Sequence, residues 1–229
     1  MYRDIFKNKH TILPVIHVEN NAQTLHNVLI AKEEGADGVF LINHGIDSSE
    51  LSKIHEFVIN NVDFWVGLNY LGTHNVIAFC LANENKYISG IWTDNAEIDE
   101  RFGDNQFAAK SNEKARISSG FQGLYFGGVA FKYQKPVTDL VTVAKIATQY
   151  MDVITTSGPG TGHAADIEKI KTMKSAIGDF PLAIASGITP ENVENYMDFA
   201  DCFLVATGIS DSFTMLNREK LRSLIKKVR

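Results

Sequence analysis

Two cysteines in 229 residues leave this chain almost without thiols. Cys80 and Cys202 both lie in apolar stretches, and neither has a Cys or His partner at metal spacing. That argues against a disulfide framework and points to a reducing compartment. No segment approaches the roughly 18 uninterrupted apolar residues of a membrane span. The opening MYRDIFKNKH has no long apolar core and no cleavage-like site, so the cytoplasm is the expected location. Positive charge is in deficit, with 22 Lys and Arg against 27 Asp and Glu. The one basic cluster, REKLRSLIKKVR, alternates basic and apolar residues at helical spacing, as the solvated face of a closing helix would. Neither nucleic acid nor a membrane is therefore expected as a partner, and homo-oligomerisation is left open.

What the chain does have is a rhythm. Short apolar runs rich in β-branched and aromatic residues recur over 12–18, 38–43, 64–69, 87–93, 123–130, 152–156, 181–186 and 201–207. Each is followed by a longer segment, several of them with helical start signals. Asp47-Ser48-Ser49-Glu50 resembles a capping box. Thr138 opens TDLVTVAKIATQY, where Leu140, Val141, Ala144 and Ala147 or Thr148 would form a stripe. Thr189-Pro190 supplies an N-cap followed by proline at the first helical position. Gly35 and Gly178 stand where helices would end.

Strict alternation demands parallel strands with right-handed crossovers. Eight units in a little over 200 residues predict a single-domain α/β protein, a closed (β/α)8 TIM barrel. No dinucleotide fingerprint follows the first strand, where ENNAQT lacks glycine, and no cofactor is expected. The longest irregular stretch, 95 to about 109, is either a lid or an elaborated loop.

Chemistry in such a barrel collects at the C-terminal strand ends, around an open mouth. Those ends carry His17 and Glu19, Asn43 and His44, Asn69, Trp92 and Asp94, Lys132 and Lys135, Thr155 and Ser157, Ser186, and Thr207. Period-two alternation puts Leu13, Val15, His17 and Glu19 on one face of the first strand, and Trp65, Gly67 and Asn69 on one face of the third. His17 and Glu19 are the expected acid-base pair, with Lys132 offering charge to substrate or to a developing oxyanion. Asn43, Asn69, Asp94 and Thr155 would orient substrate. A His-x-Glu metal site is set aside, because Lys132, Ser157 and Thr207 stand where further ligands would be needed. The loops after the seventh and eighth strands, ASGITPENV and VATGIS, put small residues where backbone N–H groups can meet an anion. Ser186, Gly187, Thr207 and Gly208 are the expected phosphate contacts.

These last units, with SGPGTG before them, resemble the ribulose-phosphate-binding barrels, phosphoribosylanthranilate isomerase among them. The matching positions are Gly160-Thr161-Gly162, Ser186 to Val193, and Thr207-Gly208. The Cys base and Asp acid of that isomerase are not matched: PVIHVEN and VITTSG stand in their places. Over nearly its full length the chain looks more like the BtpA/SgcQ family. The shared stretches are VIH, FLIN, VGLN, VAFKYQKP and SGPGTG…DIEKIK, carrying His17, Asn43, Asn69, Lys132 and Gly160-Thr161-Gly162. The Pro-Leu-Pro-Gly usual after that His is VENNAQT here, and the His usual after that Lys is Tyr133. The resemblance implies the barrel. Gly160, Thr161 and Gly162 are expected to shape the mouth beside the phosphate loops rather than to hold phosphate. The expected ligand is a phosphorylated small molecule, a sugar or nucleoside-like phosphate, acted on by isomerase, lyase or transferase chemistry. The competing expectation is a non-catalytic binding or assembly factor.

Overall fold

A computed structural model of the chain describes residues 1–84 and 87–229. Eight parallel strands close into a barrel in sequence order, each pairing with its neighbours and β8 with β1. They are β1 (Thr11–Val18), β2 (Val39–Asn43), β3 (Val66–Asn69), β4 (Gly90–Thr93), β5 (Leu124–Gly128), β6 (Val153–Thr156), β7 (Leu182–Ala185) and β8 (Cys202–Val205). Each falls within the run expected for it, or within one residue. The helices are α1 (Tyr2–Ile5), α2 (Asn21–Glu33), α3 (Ser48–Asn61), α4 (Asn75–Glu84), α5 (Phe107–Ser119), α6 (Leu140–Ala147), α7 (Ile167–Ile177) and α8 (Arg218–Val228). Among the described residues no helix is long and apolar enough to cross a membrane.

The strands are buried on both faces, which is why they read as continuous apolar runs. One face, including Ile12, Ile16, Leu41, Leu68 and Ile184, packs under the helices. The other, including Leu13, Val15, Phe40, Ile42, Phe126 and Leu204, fills the barrel. Gly67 and Gly90 make room for the large rings there: a Cβ at either would collide with the Trp65 ring, and at Gly67 with Phe40 as well. The bottom is plugged by α1, whose Tyr2 and the following Phe6 join the interior cluster. Tyr2 Oη donates to Thr11 Oγ1 at 2.7 Å. Nothing in the opening residues had signalled that plug.

Caps follow the side chains available. Asp47 accepts from Glu50 N, and Asp166 from Glu168 N and Lys169 N. At α6 the cap is Asp139 rather than Thr138, and the buried stripe is Val143, Ala144 and Ala147, with Val141 turned to solvent. The helix expected from Thr189-Pro190 does not form. Thr189 does cap, its Oγ1 accepting from Glu191 N, but only a 3-10 turn over Val193–Tyr196 follows. Asn192 bonds Thr189 N and Gly187 O instead, a local competition typical of Asn near helix starts. The basic C-terminal helix buries Leu221, Leu224, Ile225 and Val228, while Arg218 and Arg222 grip Glu34 of the segment after α2.

The stretch after β4 is an elaborated loop, with α5 beginning at Phe107. Its Gln106 ties back to Asp99 and Gly103, and Glu100 accepts from Thr138 on the β5–α6 connection. It leans outward on that connection and borders a separate hollow.

Candidate functional site

The inward-facing row of each strand continues past its C-terminal end, and those continuations surround a cavity of about 440 Å³. From β1 comes His17, after Leu13 and Val15. From β2 comes His44, after Phe40 and Ile42. From β4 comes Asp94, after Trp92. Lys132, Tyr133, Thr161 and Gly162 close one side, and Ser186, Gly187, Thr207, Gly208 and Phe213 the other.

His17 is held in a defined state. Its Nδ1 lies 2.9 Å from the Phe213 carbonyl oxygen, which can only accept. Nδ1 therefore carries the hydrogen, and in the neutral ring Nε2 is left as the acceptor. The ring stacks on Phe213 at 3.9 Å and on His44 at 4.9 Å between centroids. Burial, with His44 and Lys132 close by, pushes its pKa down to about 4. Burial also lowers His44. Both rings are thus neutral near pH 7.

Asp94 shows the opposite sense. Burial raises its carboxyl above the ordinary range, against the pull of the Asn69 hydrogen bond and of Lys132 and His44. Asn69 Nδ2 donates to Asp94 Oδ1 at 2.9 Å. Burial thus acts in opposite senses on two groups facing one cavity, favouring the protonated carboxyl and the neutral imidazole and drawing their proton affinities towards each other.

Lys132 sits in a strained turn. Ala130 and Tyr133 on either side have φ of 48° and 64°, left-handed values costly for residues with side chains. Gln134 holds the turn, donating to the carbonyls of Asp94 and Gly128. The Lys132 N–H donates to Ser157 Oγ at 2.8 Å, and its ammonium to Thr161 Oγ1 at 3.1 Å. Beneath, the Lys169 ammonium donates to the carbonyls of Ala130 and Ser157, and burial lowers its pKa to about 8.

The far side is built from backbone. Ser186 has φ 152° and Gly187 φ 65°. A Cβ at Gly187 would strike the backbone of His163 and Ala164, so the β7 loop lies directly on the β6 loop. Ser186 Oγ reinforces this, accepting from Gly158 N and donating to His163 O. Gly208 packs equally closely on the Ile188 carbonyl. It belongs to a 3-10 turn, Thr207–Ile209, whose first bond runs from Ile209 N to Ala206 O at 3.0 Å. The N–H groups of Thr207 and Gly208 precede that bond.

Several expected residues lie elsewhere. Glu19 is exposed beyond the end of β1, outside the cavity, and its N–H takes the Gln23 side chain. The strand ends at Val18, so alternation no longer aims the next side chain. Asn43 faces away from the mouth, accepting from Leu71 N and donating to Ile46 O. Thr155 is wholly buried, and its hydroxyl lacks a partner among the described residues. Gly160 lies behind Thr161 and Gly162, next to His163. Asn69 reaches the mouth through Asp94. Phe213 was not anticipated, and His44 was named at its strand end but given no role. His44 was legible, since it continues the Phe40–Ile42 row. Phe213 is 196 residues from His17 and sits in an irregular loop, with no periodic signal. Among the described residues no three His, Cys, Asp or Glu side chains converge as a metal site would need.

Comparison with known proteins adds three findings. The model of the BtpA family matches residues 22–229. Uncharacterized protein PH1209 of Pyrococcus horikoshii is 29% identical over 84 residues, and PYRAB10620 of Pyrococcus abyssi 30% over 70. Those matches cover 34% and 31% of this chain, and 32% and 27% of the relatives' lengths. Among solved structures, phosphoribosyl anthranilate isomerase of Thermus thermophilus superposes with TM-score 0.69 at 15% identity, covering 96% of this chain and all of that one. (S)-3-O-geranylgeranylglyceryl phosphate synthase of Thermoplasma acidophilum, in complex with sn-glycerol-1-phosphate, gives TM-score 0.67 at 15% identity over 99% and 95%. 3-keto-L-gulonate-6-phosphate decarboxylase of Vibrio cholerae gives 0.66 at 12% over 96% and 98%. At such identities the likeness concerns the fold.

Proposed function

The chain belongs to the BtpA family, and on that premise we propose that it binds and transforms a small phosphorylated compound, a sugar or nucleoside-like phosphate. The observation that carries this reading is one cavity with two unlike walls. Backbone N–H groups and glycines of the β7 and β8 loops, with Lys132 across from them, suit a phosphate. His17, His44 and Asp94 face the remainder of the ligand. The three fold neighbours named above all carry phosphorylated compounds in their names, which agrees with this reading.

The reaction class is isomerase, lyase or transferase chemistry beside the phosphate. Moving a proton between neighbouring atoms needs one group to accept and another to donate. His17 Nε2 is the acceptor, and Asp94, whose carboxyl burial shifts towards its protonated form, is the second group of the pair, the place that the sequence had suggested for Glu19. Lys132 would stabilise negative charge on an oxygen between them.

Thermal unfolding with ribose 5-phosphate, glycerol phosphates and inorganic phosphate tests the reading. Ligand at a hundredfold excess over Kd should stabilise the protein by about 2.7 kcal/mol. Thr207→Glu, a surface change that sets a negative charge beside the phosphate, should abolish the protection. No protection of the parent protein by any phosphate compound, or undiminished protection of Thr207→Glu, would sink it. A binding or assembly factor, in contrast, would show protection but no turnover with any ligand found, and His17→Ala would leave its role intact.

A further inference from the structure

The mouth is more apolar and more aromatic than a plain sugar phosphate requires. Its floor is Val15, Ile42, Leu71, Trp92 and Leu204, with no hydroxyl or amide among them. Its β1–β2 side is a compact cluster of three rings, Phe213, His17 and His44, with all three centroid separations between 3.9 and 5.1 Å. Two aromatic side chains that usually bury themselves stand open at the rim: Phe213 is 58% exposed and Tyr133 is 83% exposed. Tyr133 is held there in the left-handed backbone conformation noted above, which local energetics alone would not select.

We propose that the part of the ligand beyond its phosphate carries a flat, uncharged, unsaturated ring, laid against the Phe213–His17–His44 cluster over the apolar floor. This rests on the phosphate reading of the same site and narrows it to the nucleoside-like or aryl branch. The physical reason is that sugar hydroxyls set against Val15, Ile42, Leu71 and Leu204 would lose water without gaining partners. A ring instead removes the exposed Phe213 face from water and gains offset stacking. A ring one face of which meets Phe213 also comes within reach of His17 without needing a charge there.

The experiment is titration calorimetry with a matched panel. It comprises phenyl phosphate, uridine 5′-phosphate and adenosine 5′-phosphate, against ribose 5-phosphate, uridine and adenosine. At least one ring-bearing phosphate should bind roughly tenfold more tightly than ribose 5-phosphate. Phe213→Ala should erase that preference, bringing the ring-bearing phosphate down to the affinity that the same variant shows for ribose 5-phosphate. The Phe213 ring is largely exposed and the bond to His17 is made by its backbone, so the variant should fold. If ribose 5-phosphate binds as tightly as every ring-bearing phosphate, or if the preference survives Phe213→Ala, the ring proposal is overturned and the phosphate reading stands. If uridine or adenosine binds as well as its phosphate, and Phe213→Ala weakens it, the ring stands and the phosphate reading falls. Binding of none of the six compounds overturns both.

Discussion

The two walls of the mouth are built on different principles. On the β1–β4 side the working groups are side chains, His17, His44 and Asp94, aimed by strand alternation and tuned by burial. On the β6–β8 side the working surface is main chain, brought close by Gly158, Gly187 and Gly208 lying on neighbouring carbonyls. The difference matters for what each wall tolerates. A side-chain wall can lose a residue and keep its shape, whereas a backbone wall loses its shape when a single Cβ is added.

The largest effect should therefore come from Gly187→Ala. Left-handed strain and collision with the His163–Ala164 backbone should cost roughly 2–3 kcal/mol in denaturant unfolding. A variant as stable as the parent would mean that the two loops are not in the contact described. A smaller change should follow His17→Asn, and it should depend on pH. With His17 at about 4 in the fold against an ordinary 6.5, the unfolded chain binds the extra proton between those values. Stability contributed by keeping His17 neutral is thus present above pH 6.5 and falls away as pH drops towards 4. His17→Asn should flatten that part of the stability profile, and an unchanged slope would remove His17 as its source. The smallest effect belongs to Glu19→Gln. Outside the cavity and exposed, it should change stability by less than about 0.5 kcal/mol and leave phosphate binding as it was. A clear loss of binding would return Glu19 to the site.

Legibility in the sequence followed the same division. The eight strands were plain because both faces of a barrel strand are buried, and β-branched runs of that length have few other uses. His17 was found by following Leu13 and Val15 to the strand end. The same step on β2, from Phe40 through Ile42, leads to His44, and not to Asn43, which was weighed beside it. Glu19 shows the limit of the method: once β1 ends at Val18 the alternation no longer holds. The Thr189-Pro190 start had the right local chemistry, yet Asn192 turned its bonds back on the loop before an α-helix could begin. Tyr2 and Phe6 gave no signal of their own, since plugging a barrel is not a periodic property.

What the sequence by itself determined is the order of the eight strands and the ring of polar groups above a packed barrel. Local propensity and period-two alternation act over a few residues and can be read within them. What the tertiary structure alone decided is which of those groups meet. Phe213 fixes the hydrogen on His17 from across the barrel closure, Asn69 holds Asp94 from the adjoining strand, and burial lowers the proton affinity of His17 while raising that of Asp94. Proton affinity depends on how much water and which charges surround a group, and only closing the barrel sets either one.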